Sequence, residues 1–194
     1  MTTPTHATAL LAQAQDLLNT GDLAAAAPLL LQARQEPKTR LAAHNLIERH
    51  QLSGCFQDMM GLNCSISEQD DIFHFFAGHP TSVNPLRDYF ADGWRTLAEL
   101  MLMLEKVNKP LSQVQRFLEF ASGHGRFTRH LVKAIGAPAV TVSDVVEDAV
   151  TFSTQTFGVP GFVSATQPEQ VVWPAQYEVV FVLSLFTHLP MSSW

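Results

Sequence analysis

Residues 117–125, Phe117-Leu118-Glu119-Phe120-Ala121-Ser122-Gly123-His124-Gly125, set an apolar strand, a carboxylate and a run of small residues directly before a helical pattern, Arg126-Phe127-Thr128-Arg129-His130-Leu131-Val132. A buried strand that ends in a glycine turn leaves room for a ligand to lie against the backbone. The helix beyond it offers unpaired N–H groups to a carboxylate or phosphate held in the turn. The pattern is that of a cofactor loop. The ligand is expected to approach the backbone at Gly125, so that a valine there harms binding more than stability.

Two more segments follow in order. Val140-Thr141-Val142-Ser143-Asp144 reads as a short strand ending in a carboxylate, about 20 residues beyond the glycine turn, where Rossmann-type folds bind a ribose diol. Asp144 could equally cap a helix opening at Val145-Val146-Glu147-Asp148. Glu178-Val179-Val180-Phe181-Val182-Leu183-Ser184 is apolar for most of its length, as expected of a strand buried on both faces. A nicotinamide dinucleotide would want G-x-G-x-x-G, and a pattern begun at Gly123 meets Thr128 where the third glycine belongs.

The pattern present, E-x-A-x-G-x-G at Glu119, Ala121, Gly123 and Gly125, resembles motif I of the class I S-adenosylmethionine-dependent methyltransferases, usually (D/E)-x-G-x-G-x-G. Ser184-Leu185-Phe186-Thr187-His188-Leu189 is similar to the S-x-x-T-H-L after the fourth strand of many small-molecule members. The resemblance covers residues from about 85 to the end. It implies an α/β fold with a Rossmann-like parallel sheet, here the first four strands of a seven-stranded sheet ordered 3-2-1-4-5-7-6, preceded by an α-helical cap. It implies S-adenosyl-L-methionine as cofactor, with Glu119, Ala121, Gly123 and Gly125 along the methionine, Asp144 on the ribose and Val145 against the adenine. Thr166 and Ser184 are further expected contacts, Thr166 lying in a loop without the aspartate that many relatives place near the adenine amino group. His188 is the candidate general base, with a structural role in its loop as the alternative. Ala121 stands for the first glycine; it can serve there with a negative φ and would crowd a left-handed turn.

Composition narrows the partners. With a net charge of −6 and twelve Lys and Arg spread along 194 residues, nucleic acid is a poor partner, and the fourth strand is not followed by the Pro-Pro-aromatic motif of nucleobase methylation. A small-molecule methyl acceptor is expected. No apolar run approaches 18 residues and no signal-like leader opens the chain, so a soluble cytoplasmic protein without membrane contact is expected. Cys55 and Cys64 lack metal-site spacing, and no metal is expected.

The chain is expected to divide into residues 1–51, a helical segment resembling one tetratricopeptide repeat; 52–108, a helical linker and lid; and 109–194, the cofactor-binding half-domain. Asp22 should cap the second helix, in which Pro28 forces a kink or a late start. Ser67-Glu68-Gln69-Asp70 has capping-box spacing for a short helix through Phe76. Asn84-Pro85 should open a helix to about Val107, with Leu86, Phe90, Trp94, Leu97, Met101 and Leu104 on one face. Ending after the fourth strand, the sequence reads as a fragment of a longer one, with a strand edge open to self-association, as are the N-terminal helices. The rival readings are an NAD-dependent oxidoreductase and a non-catalytic interaction protein using its helical repeat.

Overall fold

A computed structural model describes residues 6–189, of His188 the backbone alone. The chain divides into two compact units between Glu68 and Gln69.

The first unit is helical: α1 (His6–Asn19), α2 (Leu23–Ala33), α3 (Arg40–Arg49) and α4 (Phe56–Met60). Gly21 takes the left-handed turn between α1 and α2, and the Asp22 carboxylate accepts from Ala25 N at 3.0 Å, so α2 begins there and carries Pro28 within it. Ala14, Ala26 and Ala33 are fully buried, small side chains that let the helices approach closely. The start of α4 is capped from α3, where buried Glu48 accepts from Phe56 N at 2.5 Å and Gln57 N at 3.1 Å.

The second unit is α/β. Two helices, α5 (Asp71–Gly78) and α6 (Pro85–Lys106), precede β1 (Phe117–Phe120), α7 (Thr128–Ile135), β2 (Val140–Asp144), α8 (Glu147–Phe157), β3 (Gly161–Val163), β4 (Val179–Val182) and α9 (Leu185–His188). The four strands form one all-parallel sheet in the order β3-β2-β1-β4. Phe117 pairs with Val140 on one side and Val179 on the other, so β1 is central and the turn after it opens at the middle of the sheet's C-terminal edge. Phe117, Phe127, Leu131, Val140 and Val142 form the centre of the core with Leu97 and Leu104 of α6. Complete burial of such a side chain stabilises by about 1.5–3 kcal/mol.

Three expectations need correction. The short helix α5 is capped by Asp70, not Ser67: Asp70 Oδ1 accepts from Ile72 N and Phe73 N at 2.9 and 3.1 Å. Asn84 does cap α6, accepting from Arg87 N at 3.1 Å, but its buried face is rotated. Trp94 and Met101 are exposed, whereas Gly93 and Leu100 are on the buried side. Gly93 sets that rotation, because a β-carbon there would collide with Arg126 O and the His130 ring. Last, β4 is not buried on both faces. Phe181 packs on Phe127 and Phe117 with ring centroids at 5.0 and 6.4 Å, while Val180, its neighbour on the opposite face, is 51% exposed. The edge position of β4 among the described strands leaves that second face less covered.

Among the described residues no helix is long and apolar enough to cross a membrane, and no three potential metal ligands come together. Cys55 and Cys64 are buried and form no disulfide.

Candidate functional site

A cavity of about 710 Å³ opens where β1, β2 and β4 end, within the range of about 300–1,000 Å³ usual for small-molecule sites. Its floor is the turn after β1. Its walls are the starts of α5 and α8 and the segment around Ser184. Crevices at the C-terminal ends of parallel strands are where ligands of open α/β sheets bind.

Of the cofactor residues expected from sequence, Glu119, Ala121, Gly123, Asp144 and Ser184 line this cavity; Gly125, Val145 and Thr166 do not. The difference at the two glycines is steric. Both have positive φ, but a β-carbon on Gly123 would meet nothing within 4 Å, whereas one on Gly125 would strike the Phe157 ring. The backbone open to a ligand is therefore at Gly123. Gly125 is glycine because α8 packs on it, which reverses the expected order of effects on binding and stability at that position.

Ala121 has φ +58° and thus occupies the left-handed conformation that an alanine was expected to avoid. Ser184 does the same at φ +59°, at the end of the adjacent strand β4. Each costs on the order of 1–2 kcal/mol relative to a relaxed backbone. Two strained residues thus flank one cavity, at the ends of neighbouring strands. His188 lies in α9, just beyond Ser184, but its side chain is outside the described residues.

Asp144 braces the site. Its Oδ2 accepts from Gly123 N at 2.8 Å and its Oδ1 from Val146 N at 3.0 Å, so one carboxylate joins the glycine turn to the approach of α8. Asp144 does not cap α8 as expected, because that helix opens at Glu147 behind Val146 without a side-chain cap; ligand contact stays chemically open to it, because each carboxylate oxygen has a second lone pair.

Glu119 is a different kind of carboxyl. It is 5% exposed, accepts from Thr128 Oγ1 at 2.7 Å through Oε2, and forms no ion pair among the described contacts. Burial, with the nearby Asp144 charge, pushes its pKa up to about 8 against the opposing effects of Thr128 and Arg129. At neutral pH the group is largely protonated, and a cation placed beside it would ionise it.

Sequence reasoning did not place Asp70, His74, His124 or Arg126 at the cofactor site, yet all four line the cavity. Asp70 is held by Tyr89, whose hydroxyl donates to Oδ2 at 2.5 Å and accepts from Arg129 Nη2 at 3.2 Å. The buried Arg129 guanidinium lies 5.0–5.4 Å from the ring centres of Tyr89, Phe90 and Phe157 and donates through Nε to Gly125 O at 3.0 Å. Buried Tyr89 is held firmly as a phenol, its pKa raised by desolvation. His124 Nε2 lies 3.0 Å from Asp148 Oδ2, so the residue between the two glycines ties the turn to α8. The signal available in the sequence was the placement of His124 and Arg126 beside the glycines, Arg126 being read there as the start of a helix that in the structure begins at Thr128.

Comparison with protein-family models gives no match to this chain, and comparison with curated proteins gives none either.

Proposed function

We propose that this chain binds S-adenosyl-L-methionine and serves as the cofactor-binding part of a methyltransferase acting on a small molecule. The strand order does not decide the matter, because dinucleotide-binding folds share the order 3-2-1-4 in their first half. The observation that carries the reading is the charge of the cavity. Asp70, Asp71 and Asp144 line it beside the protonated carboxyl of Glu119, and the only lysine or arginine among the described lining residues is Arg126, already paired with Asp92. Such a cavity repels the pyrophosphate of NAD and favours a ligand with cationic groups.

The residues fit the proposed cofactor in three respects. Glu119 offers a buried carboxyl lacking a cation, Gly123 offers backbone that a β-carbon would obstruct, and Asp144 is fixed at the end of β2. Glu119 would hold the ammonium, the Gly123 turn would lie along the methionine, and Asp144 would accept from the ribose hydroxyls. When bound, the sulfonium supplies an activated methyl group, which a nucleophile takes in line. The protein's part is positioning and exclusion of water. Thr128 orients Glu119, Tyr89 and Arg129 fix Asp70 on the facing wall, and His188 is the candidate base for an acceptor that must lose a proton. The cavity volume suits a small acceptor, and two cysteines without a disulfide suit the reducing cytoplasm.

Calorimetric titration with S-adenosylmethionine, S-adenosylhomocysteine and NAD tests the proposal. Binding of the first two without the third is expected. Preference for NAD would replace the reading with the oxidoreductase one.

A further inference from the structure

The α5 wall of the cavity carries polar side chains for which the bound cofactor has no use. Asp70, Asp71 and His74 all line it. Asp70 is engaged within the protein, one oxygen capping α5 and the other accepting from Tyr89. Asp71 differs. It is exposed, and among the described residues no hydrogen bond or ion pair engages its carboxylate. His74, also exposed, follows three residues later, a spacing that puts both side chains on one face of the helix. A carboxylate in the first turn of a helix is favourable in itself, which accounts for an acidic residue at Asp71 but not for an imidazole beside it on a cavity wall. The other imidazole among the described lining residues, that of His124, is tied to Asp148.

The surroundings select among acceptors. Asp71 stands with Asp70 and Asp144 in a lining whose one arginine among the described residues, Arg126, is paired with Asp92. A carboxylate or phosphate acceptor would meet negative charge with no unpaired cation to offset it, whereas an ammonium ion would be drawn in. An alcohol feels neither effect. An ammonium ion must still lose a proton before its nitrogen can act as a nucleophile, and an imidazole on the same wall suits that task. We propose that the acceptor is a small amine, held by Asp71 as its ammonium ion and deprotonated by His74. One N–H bond breaks, its electron pair stays on the amine nitrogen, and the proton passes to an imidazole nitrogen and then to solvent. The Asp71 carboxylate also stabilises the positive charge that the nitrogen regains with the methyl group. The inference rests on the proposed function and names the acceptor class for that site, giving His74 the part for which the sequence offered His188.

The test titrates the full chain by NMR with n-butylamine, n-butanol and butanoate, with and without S-adenosylhomocysteine, and follows methylation of n-butylamine by mass spectrometry in the presence of S-adenosylmethionine. The wild type should bind the amine about fivefold more tightly than the alcohol, the upper end for one exposed ion pair, and butanoate least. Asp71→Asn keeps the shape, removes the charge and should lose that preference. His74→Gln should keep it while methylation falls by about 10²- to 10⁴-fold, the usual contribution of a general base. Both side chains are exposed, so neither substitution opens the core. A wild type that binds no S-adenosylhomocysteine yet prefers the amine through Asp71 would remove the cofactor reading and keep the amine site. A wild type that binds the nucleoside but takes the amine no better than the alcohol, or an Asp71→Asn variant that keeps the preference, would overturn the amine assignment. Bound n-butylamine left unmethylated would overturn its role as acceptor, and methylation undiminished in His74→Gln would overturn the part given to His74.

Discussion

Phe157 packs where a β-carbon on Gly125 would stand, while the equivalent space at Gly123 is open. The two glycines of the turn therefore answer to different parts of the molecule: Gly125 to the packing of α8, Gly123 to the cavity. Gly125→Ala should destabilise the protein by about 2–4 kcal/mol, combining overpacking with left-handed strain. Gly123→Ala should cost only the backbone strain, about 1–2 kcal/mol, and weaken ligand binding more visibly. Thermal or urea unfolding of the two variants, set beside calorimetry, measures the contrast. Equal losses of stability would contradict it.

Ala121 offers the converse experiment. Its left-handed backbone makes glycine the better residue, partly offset by glycine's greater freedom in the unfolded chain. Ala121→Gly should raise stability by up to about 1 kcal/mol. A lower melting temperature would mean that the methyl group contributes packing that outweighs the strain.

Much of the second unit was legible in sequence because the signals were local. Asn84 before Pro85 specifies the start of α6 by a hydrogen bond from Arg87 three residues on, and β1 and β2 announce themselves as apolar runs with a carboxylate at or next to their end. The errors arose where the deciding partner is distant. The face of α6 is set by the meeting of Gly93 with Arg126 and His130, and the need for Gly125 by Phe157 on α8. Nothing within either segment encodes those encounters. Asp70 was passed over for Ser67 although its capping bonds to Ile72 N and Phe73 N are local; its hold on Tyr89 through the other oxygen is the part no local pattern encodes. Glu119, Ala121, Gly123, Asp144 and Ser184 could be read as one group because all stand at strand ends, which a parallel sheet gathers along a single edge.

Glu119 predicts a pH dependence with a defined sign. Its folded pKa of about 8 lies above the ordinary 4.5, so the folded state keeps a proton that the unfolded chain loses. Its favourable contribution is full below about pH 4.5, declines between there and about pH 8, and is then level. The size is on the order of a few kcal/mol. Unfolding free energies across that range should show a decline for the wild type that Glu119→Gln lessens. A slope unchanged in the variant would assign the effect elsewhere. Ligands carrying an ammonium should bind with proton release near neutral pH, detectable as a dependence of the calorimetric heat on buffer ionisation.

Asp144 holds Gly123 N and Val146 N with its two oxygens, so its replacement reaches stability as well as binding. Asp144→Ala should lower stability by about 1–3 kcal/mol, because two backbone donors lose a charged acceptor. Asp144→Asn retains one acceptor and should fall between. Unfolding curves for the pair check the order. An alanine variant as stable as the wild type would show that solvent replaces the brace at no cost.

Direct titration of the chain is the most immediate test of the proposal that the cavity beside Glu119, Gly123 and Asp144 receives S-adenosylmethionine. Saturable one-to-one binding of S-adenosylhomocysteine is expected, weakened about tenfold to a hundredfold by Asp144→Ala under conditions where the variant remains folded. Absence of binding by the folded wild type, or binding that Asp144→Ala and Gly123→Ala leave unchanged, would contradict it.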